Sequence, residues 1–391
     1  MTQATPFPMR PRQADRVKSI HDAIVANDIE RLRQLARSED GLMFDWLRRQ
    51  AWPILMHTLE SVSDREEGLE QDLRDPVQIS KDVERSLYYF PQGLYSRRIP
   101  HAEYPHADPI YPAASHRSFP ASQDHTETRA PRNDCRNSLA QPTASLLPGL
   151  PRCLYHFLAC SGQASGYPGR GECRSALFER FCVTTLHTDG MLDSIDPVSR
   201  QLSLVTTLLR SENPRLHEFL MSANIMPYYT LSWVLTWFSH DFTDFEKVMR
   251  LFDLFMASTP LMPVYVACAI VLSHSQDLLH QEIEMVHMCL VNLPQDPDMD
   301  IDVVIAMALE LEKKYPPLEL QKSSGIWLDQ CSPVNTYENE WHCLSADEQP
   351  DQIAAERYLS MVRQTEPCKP EPRKRRPSLW ERLSGGSLVV G

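Results

Sequence analysis

The chain has 391 residues, 42% of them hydrophobic, and a formal net charge of −13. That is apolar material for two average domains or one large helical domain with tails. The acidic balance argues against a general nucleic-acid binder, because phosphate affinity needs a basic surface. Ten cysteines at irregular spacings, with no Cys-x-x-Cys, signal neither a zinc module nor a disulfide framework. His342 beside Cys343 is a weak metal suggestion, and no metal site is expected. No apolar signal-peptide run and no stretch of about 18 apolar residues is present, so a reducing, cytoplasmic setting is the default.

Residues 14–39 read as two helices, with Val17, Ile20 and Ile24 on one face and Ile29, Leu32 and Leu35 on the next. Ala26 to Asp28 is expected to cap the second helix, and Gly41 to end it. An apolar run follows, carrying Arg48, Arg49 and Trp52, which Pro53 is expected to break or kink. Residues 59–75 are acidic and read as an exposed loop. Ile79 to Phe90 then has Ile79, Val83, Leu87 and Phe90 on one helical stripe. Asp82 and Arg85, three apart, fall together on the solvent side. Taken alone, that pair reads as a surface ion pair of little energetic weight.

Beyond Pro91 the periodicity disappears. Residues 91–150 are rich in proline and histidine, and 151–190 mix cysteine, glycine and arginine without a helical or strand period. Such a stretch cannot bury enough surface to offset its ordering entropy. Order returns near Met191. Leu202, Val205, Leu208 and Leu209 mark a helix, Asn213 and Pro214 start the next, and Tyr228–Phe238 reads as one buried helix. An amphipathic helix from about Thr243 carries Phe245, Val248, Phe252 and Phe255. Val264–Leu272 is a buried helix, followed by helices at about 278–292 and 300–314. From 321 onward the chain reads as a polar, disordered tail. It holds a basic run, Lys369–Arg376, which reads first as a solvated tail, with a membrane-surface or nuclear-import role as the alternatives; Leu379, Trp380 and Leu388–Val390 after it resemble the edge of a membrane anchor. No alternating strand pattern is found, so the fold class is all-α.

Five segments occur in one order: RRQAWPIL at 48–55, Ile-x-x-Asp-x-x-Arg at 79–85, LSWVLTWFSH at 231–240, RLFDLF at 250–255 and PLMPVY at 260–265. Together they resemble the TBC-domain GTPase-activating proteins for Rab GTPases, in particular the endoplasmic-reticulum-associated branch. The resemblance implies a multi-helix TBC domain over 41–320, preceded by a helical segment at 1–40 and followed by the tail at 321–391. It implies a Rab-family GTPase as partner, with a role in vesicle transport between endoplasmic reticulum and Golgi, in the cytoplasm or peripheral to those membranes. GTP and Mg would belong to the GTPase, and this chain would carry no cofactor. By the motif, Arg85 is an arginine finger, Asp82 its orienting neighbour and Ile79 the anchor of their helix. A finger of this kind neutralises charge on the transferring γ-phosphoryl group. Arg250 and Asp253 match a second motif, where a structural pair is expected, and Trp52, Trp233 and Trp237 are read as core.

One departure counts against activity. The family carries a second finger, a glutamine, in a Tyr-x-Gln-Gly segment after the arginine, and this chain has none. Gln92 and Gly93 come too soon after Arg85. Shifting the reading of Leu146–Leu154 by one nucleotide permits Tyr-Tyr-Gln-Gly. We therefore expect much of 91–190 to be an aberrant insert, translated out of frame. A non-catalytic scaffold that binds a GTPase without stimulating hydrolysis is the competing reading, whereas a repeat adaptor is disfavoured because no segment recurs at a fixed period.

Overall fold

The structure, a computed structural model, describes residues 11–57, 189, 195–346 and 348. Helix α1 (Pro11–Val25) buries Val17, Ile20 and Ala23. α2 (Ile29–Arg37) starts where the Asp28 carboxylate accepts from the Arg31 N–H at 2.9 Å, the cap expected from sequence. It ends at Arg37 with Ser38 as its cap, so Gly41 does not terminate it. Gly41 lies instead in a tight loop in which Asp40, Gly41 and Met43 all have positive φ. α3 (Asp45–Leu55) runs through Pro53, which sits in the last turn and does not break the helix. A proline there forfeits one backbone hydrogen bond close to an end that frays anyway.

After α3 the description resumes with Asp189 and then α4 (Asp196–Glu212), followed by α5 (Pro214–Ser222), whose Asn213 side chain accepts from the Leu216 N–H at 3.0 Å. The expected single helix over Tyr228–Phe238 is divided. Pro227–Thr230 forms a 3-10 turn, α6 spans only Leu231–Leu235, and Trp237 and Phe238 have φ of +49° and +62°. The Phe238 N–H reaches the Trp233 carbonyl at 2.7 Å, closing a Schellman-type end. The same closure follows α1 and α5, where Asn27 and Asn224 take the left-handed position. A tryptophan there pays steric cost, and its packing offsets it. Trp237 is buried edge-on against Phe252 and Phe255, with ring centroids 5.4 and 5.0 Å away.

α7 (Phe245–Met256) is capped by Asp244, one residue after the expected start. α8 (Met262–Ser273) is apolar on all sides and buried from Met262 to Val271. It forms the centre of the fold, packed chiefly against α4 and α11 (Ile301–Lys314). The expected helix at 278–292 is two, α9 (Ser275–Leu279) and α10 (Ile283–Asn292), broken at His280–Glu282.

The polar tail read from 321 is corrected by the structure. α12 (Pro317–Ser324), α13 (Pro333–Tyr337) and a π-helical turn (Glu338–His342) continue the fold, with Trp341 fully buried. Buried Gln321 accepts from the Leu328 N–H at 2.9 Å and donates to Asn335 at 2.8 Å, which lets a polar sequence close on itself. From α2, Arg33 caps the open end of the π-turn by donating to the carbonyls of His342 and Trp341. Among the described residues no strand occurs, and no helix is long and apolar enough to cross a membrane.

Candidate functional site

Ile79, Asp82 and Arg85 lie outside the described residues, as do Gln92, Gly93, the shifted-frame segment and Lys369–Arg376. What the structure describes is the platform on either side of the expected finger helix. Its centre is Asp253 on α7, with no exposed surface. The Asp253 carboxylate accepts from Arg48 Nε at 3.1 Å, from the Trp52 indole N–H at 2.9 Å and from the Leu42 backbone N–H at 3.1 Å. Arg48 also holds Asp45 at 3.0 Å. The spacing of Arg48 and Trp52, four apart on α3, puts both donors on the face that meets α7.

Arg250, one turn before Asp253, turns the other way. Its Nε meets Asp302 of α11 at 2.8 Å, and its terminal nitrogens donate to the carbonyls of Ala36 (2.9 Å) and Ser38 (2.7 Å). The structural pair expected of Arg250 and Asp253 is therefore two pairs, each made with a residue of another helix. Gly41 lies between them. A Cβ built on it would come within 2.9 Å of Arg250 Cδ and Asp253 Oδ2, and its φ is +53°. Only glycine meets both demands. Arg16 closes the arrangement from α1, donating to the Gly41 and Leu35 carbonyls at 2.8 and 2.7 Å.

Arg48, Arg250 and Asp253 are buried, Arg16, Asp45 and Asp302 partly so, and they satisfy one another, so the network positions helices and performs no chemistry itself. Trp52, Trp233 and Trp237 are buried as expected of core aromatics. Arg16, Leu42 and Asp302 carry the arrangement with them and had no role in the sequence reading, where Gly41 was read only as a helix end and Arg48 only as part of the RRQAWPIL segment. The four-residue spacing of Arg48 and Trp52 was the one available signal. Burial pushes the Cys268 thiol far up, away from the nucleophilic thiolate. His342 pairs with Glu338 at 3.3 Å, and among the described residues no His, Cys, Asp and Glu cluster could hold a metal ion.

The platform's exit is equally defined. At the end of α3, His57 adopts φ of +51°, and its Nδ1 meets the Ser345 carbonyl at 3.1 Å. Its ring stands edge-on to Trp341 at 4.9 Å. On the return side, buried Asp189 accepts at one oxygen from Gln201 (2.7 Å) and Ser332 (2.6 Å). Burial pushes its carboxyl above the usual aspartate range.

The all-helical domain whose α3, α7 and α11 are joined by these Arg–Asp and Trp–Asp contacts carries a match to the Rab-GTPase-TBC domain family model. The family's profile matches residues 170–279. Along most of its length the chain is similar to human TBC1 domain family member 20, with 28% identity over 395 aligned residues, covering 97% of this chain and 87% of that protein. It is 36% identical over 111 residues to the GTPase-activating protein gyp10 of Schizosaccharomyces pombe, covering 27% of this chain and 30% of that protein. The fold is similar to the crystal structure of the Ypt/Rab-GAP domain of Gyp1p, with a TM-score of 0.51 and 14% identity over 77% of this chain and 99% of that one. The profile match begins at residue 170, inside the stretch set aside as an insert over 91–190. Residues 170–190 go with the domain, in keeping with the burial of Asp189. Arg85 lies before the match.

Proposed function

We propose that the chain accelerates GTP hydrolysis on a Rab-type small GTPase, with Arg85 as an arginine finger supplied in trans. The observation that supports this reading is the family match joined to Ile79-x-x-Asp82-x-x-Arg85, ahead of it in the same chain. Arg85 would neutralise charge developing on the γ-phosphoryl group, with Asp82 orienting it and Ile79 anchoring its helix. GTP and Mg are the partner's, and this chain brings no cofactor. The setting is vesicle transport between endoplasmic reticulum and Golgi, with the chain in the cytoplasm or peripheral to those membranes. Single-turnover GTP hydrolysis across a panel of Rab GTPases tests this. Arg85→Ala is expected to remove stimulation by about 10³-fold or more. Arg85→Lys is not expected to restore it, since an ammonium lacks the guanidinium's planar, multi-donor geometry. A GTPase bound but not stimulated, and indifferent to Arg85→Ala, points to the non-catalytic scaffold. The absence of Tyr-x-Gln-Gly favours that second reading. Sequencing the transcript across codons 85–195 decides whether that segment is restored in frame.

A further inference from the structure

Helix α10 carries apolar residues on every side, with Glu284, His287 and Asn292 among them, yet it lies at the surface. Val286 and Leu290 are buried, while Ile283, Met285, Met288 and Val291 are exposed. A helix apolar on every side is ordinarily enclosed. Its neighbours extend the same character. Met226 and Tyr228 are exposed at the 3-10 turn that packs on α10, and Met221 is exposed at the end of α5. Along the sequence the charge here has one sign, although Arg215 is exposed on α5. Between Leu251 and Glu312 the sequence has ten aspartates and glutamates and no lysine or arginine. Of these, Asp277 on α9 and Glu282 and Glu284 at the start of α10 are exposed. Unbranched, polarisable methionines mould to a partner's apolar side chains, and surrounding carboxylates select a basic one.

The chain itself contains such a segment. Arg373, Lys374, Arg375 and Arg376 precede Ser378, and Ser378 with Glu381 has the spacing of a capping box. Leu379, Trp380 and Leu383 then fall on one helical face. The 27 residues from Ala346 to Arg373 span up to roughly 3.3 Å each, enough to cross the domain. We propose that the methionine-lined, acidic face of α10 is the docking site of the chain's own Arg373–Leu383 segment. An anionic lipid surface would attract the same segment but gives α10 no reason to be both apolar and acidic.

Carbodiimide treatment of the full chain tests this, since it joins only amines and carboxylates in contact. It is expected to link Lys374 to Glu282 or Glu284, read by peptide mass spectrometry, with a yield unchanged on dilution. Met285→Lys combined with Met288→Lys, at exposed positions and checked by unchanged thermal unfolding, is expected to lose the link. No link to these glutamates, a link that grows with protein concentration, or one that survives the double variant overturns the proposal. So does protection of Lys374 and Trp380 by phosphatidylserine vesicles when no link forms in their absence, which assigns the segment to a lipid surface.

Discussion

Asp253 shows how one side chain fixes three segments. It takes donors from the loop before α3, from two positions on α3, and holds them against α7. A buried ion pair of this kind adds little net stability over an apolar replacement, but removing one partner strands the other charge. Asp253→Ala is therefore expected to cost about 3–5 kcal/mol, read as a lower urea midpoint, because it takes the buried carboxylate away from Arg48, the Trp52 indole and the Leu42 N–H together. Asp189 behaves oppositely. Burial raises its carboxyl, so the folded chain holds this proton to higher pH than the unfolded chain does. Its contribution to stability is fullest below the unfolded aspartate range and is lost as pH rises through the raised value. Asp189→Asn, which keeps an acceptor for Gln201 and Ser332 without a charge, is expected to raise Tm at neutral pH. That gain should vanish only below about pH 3, where both states hold the proton.

At the scale of elements, helices with apolar periodicity were legible from sequence, namely α1, α2, α4, α5, α7 and α11, and α8 was legible as a continuous apolar run. So was the cap at Asn213. The sequence reading failed where local and tertiary signals part. Tyr228–Phe238 is apolar enough for one helix, and only the pull of Phe252 and Phe255 on Trp237 shows why it reverses. Residues 321–342 look like tail because their folding depends on single buried residues, Gln321 and Trp341, with no stripe to read. Trp341→Ala is expected to cost about 3–5 kcal/mol. It should also open 321–346 to limited proteolysis before the rest of the domain, since the π-turn would lose the ring that His57 and its neighbours pack against.

At the scale of the whole molecule, α8 gives the domain its centre, and the Asp253 and Arg250 joints bind the N-terminal helices to it. The half of the site that positions was legible only in part. Arg250 and Asp253 stood out as a motif, but their partners lie 52 residues away at Asp302 and 205 or more away at Arg48 and Ala36, and no spacing rule connects them. The half expected to act, Arg85 and its helix, came from motif resemblance and falls outside the described residues.

The clamps at His57 and Asp189 have a consequence for how this domain tolerates change. The chain leaves the platform at His57, held by Ser345, and returns at Asp189, held by Ser332, so one C-terminal unit grips both ends of the intervening segment. The entropy of joining two fixed ends grows only with the logarithm of the length between them, about 0.6 kcal/mol per doubling. The closure term alone would thus change little with the length of chain between those clamps. Chains that differ in length between these positions could therefore keep the same two fixed points.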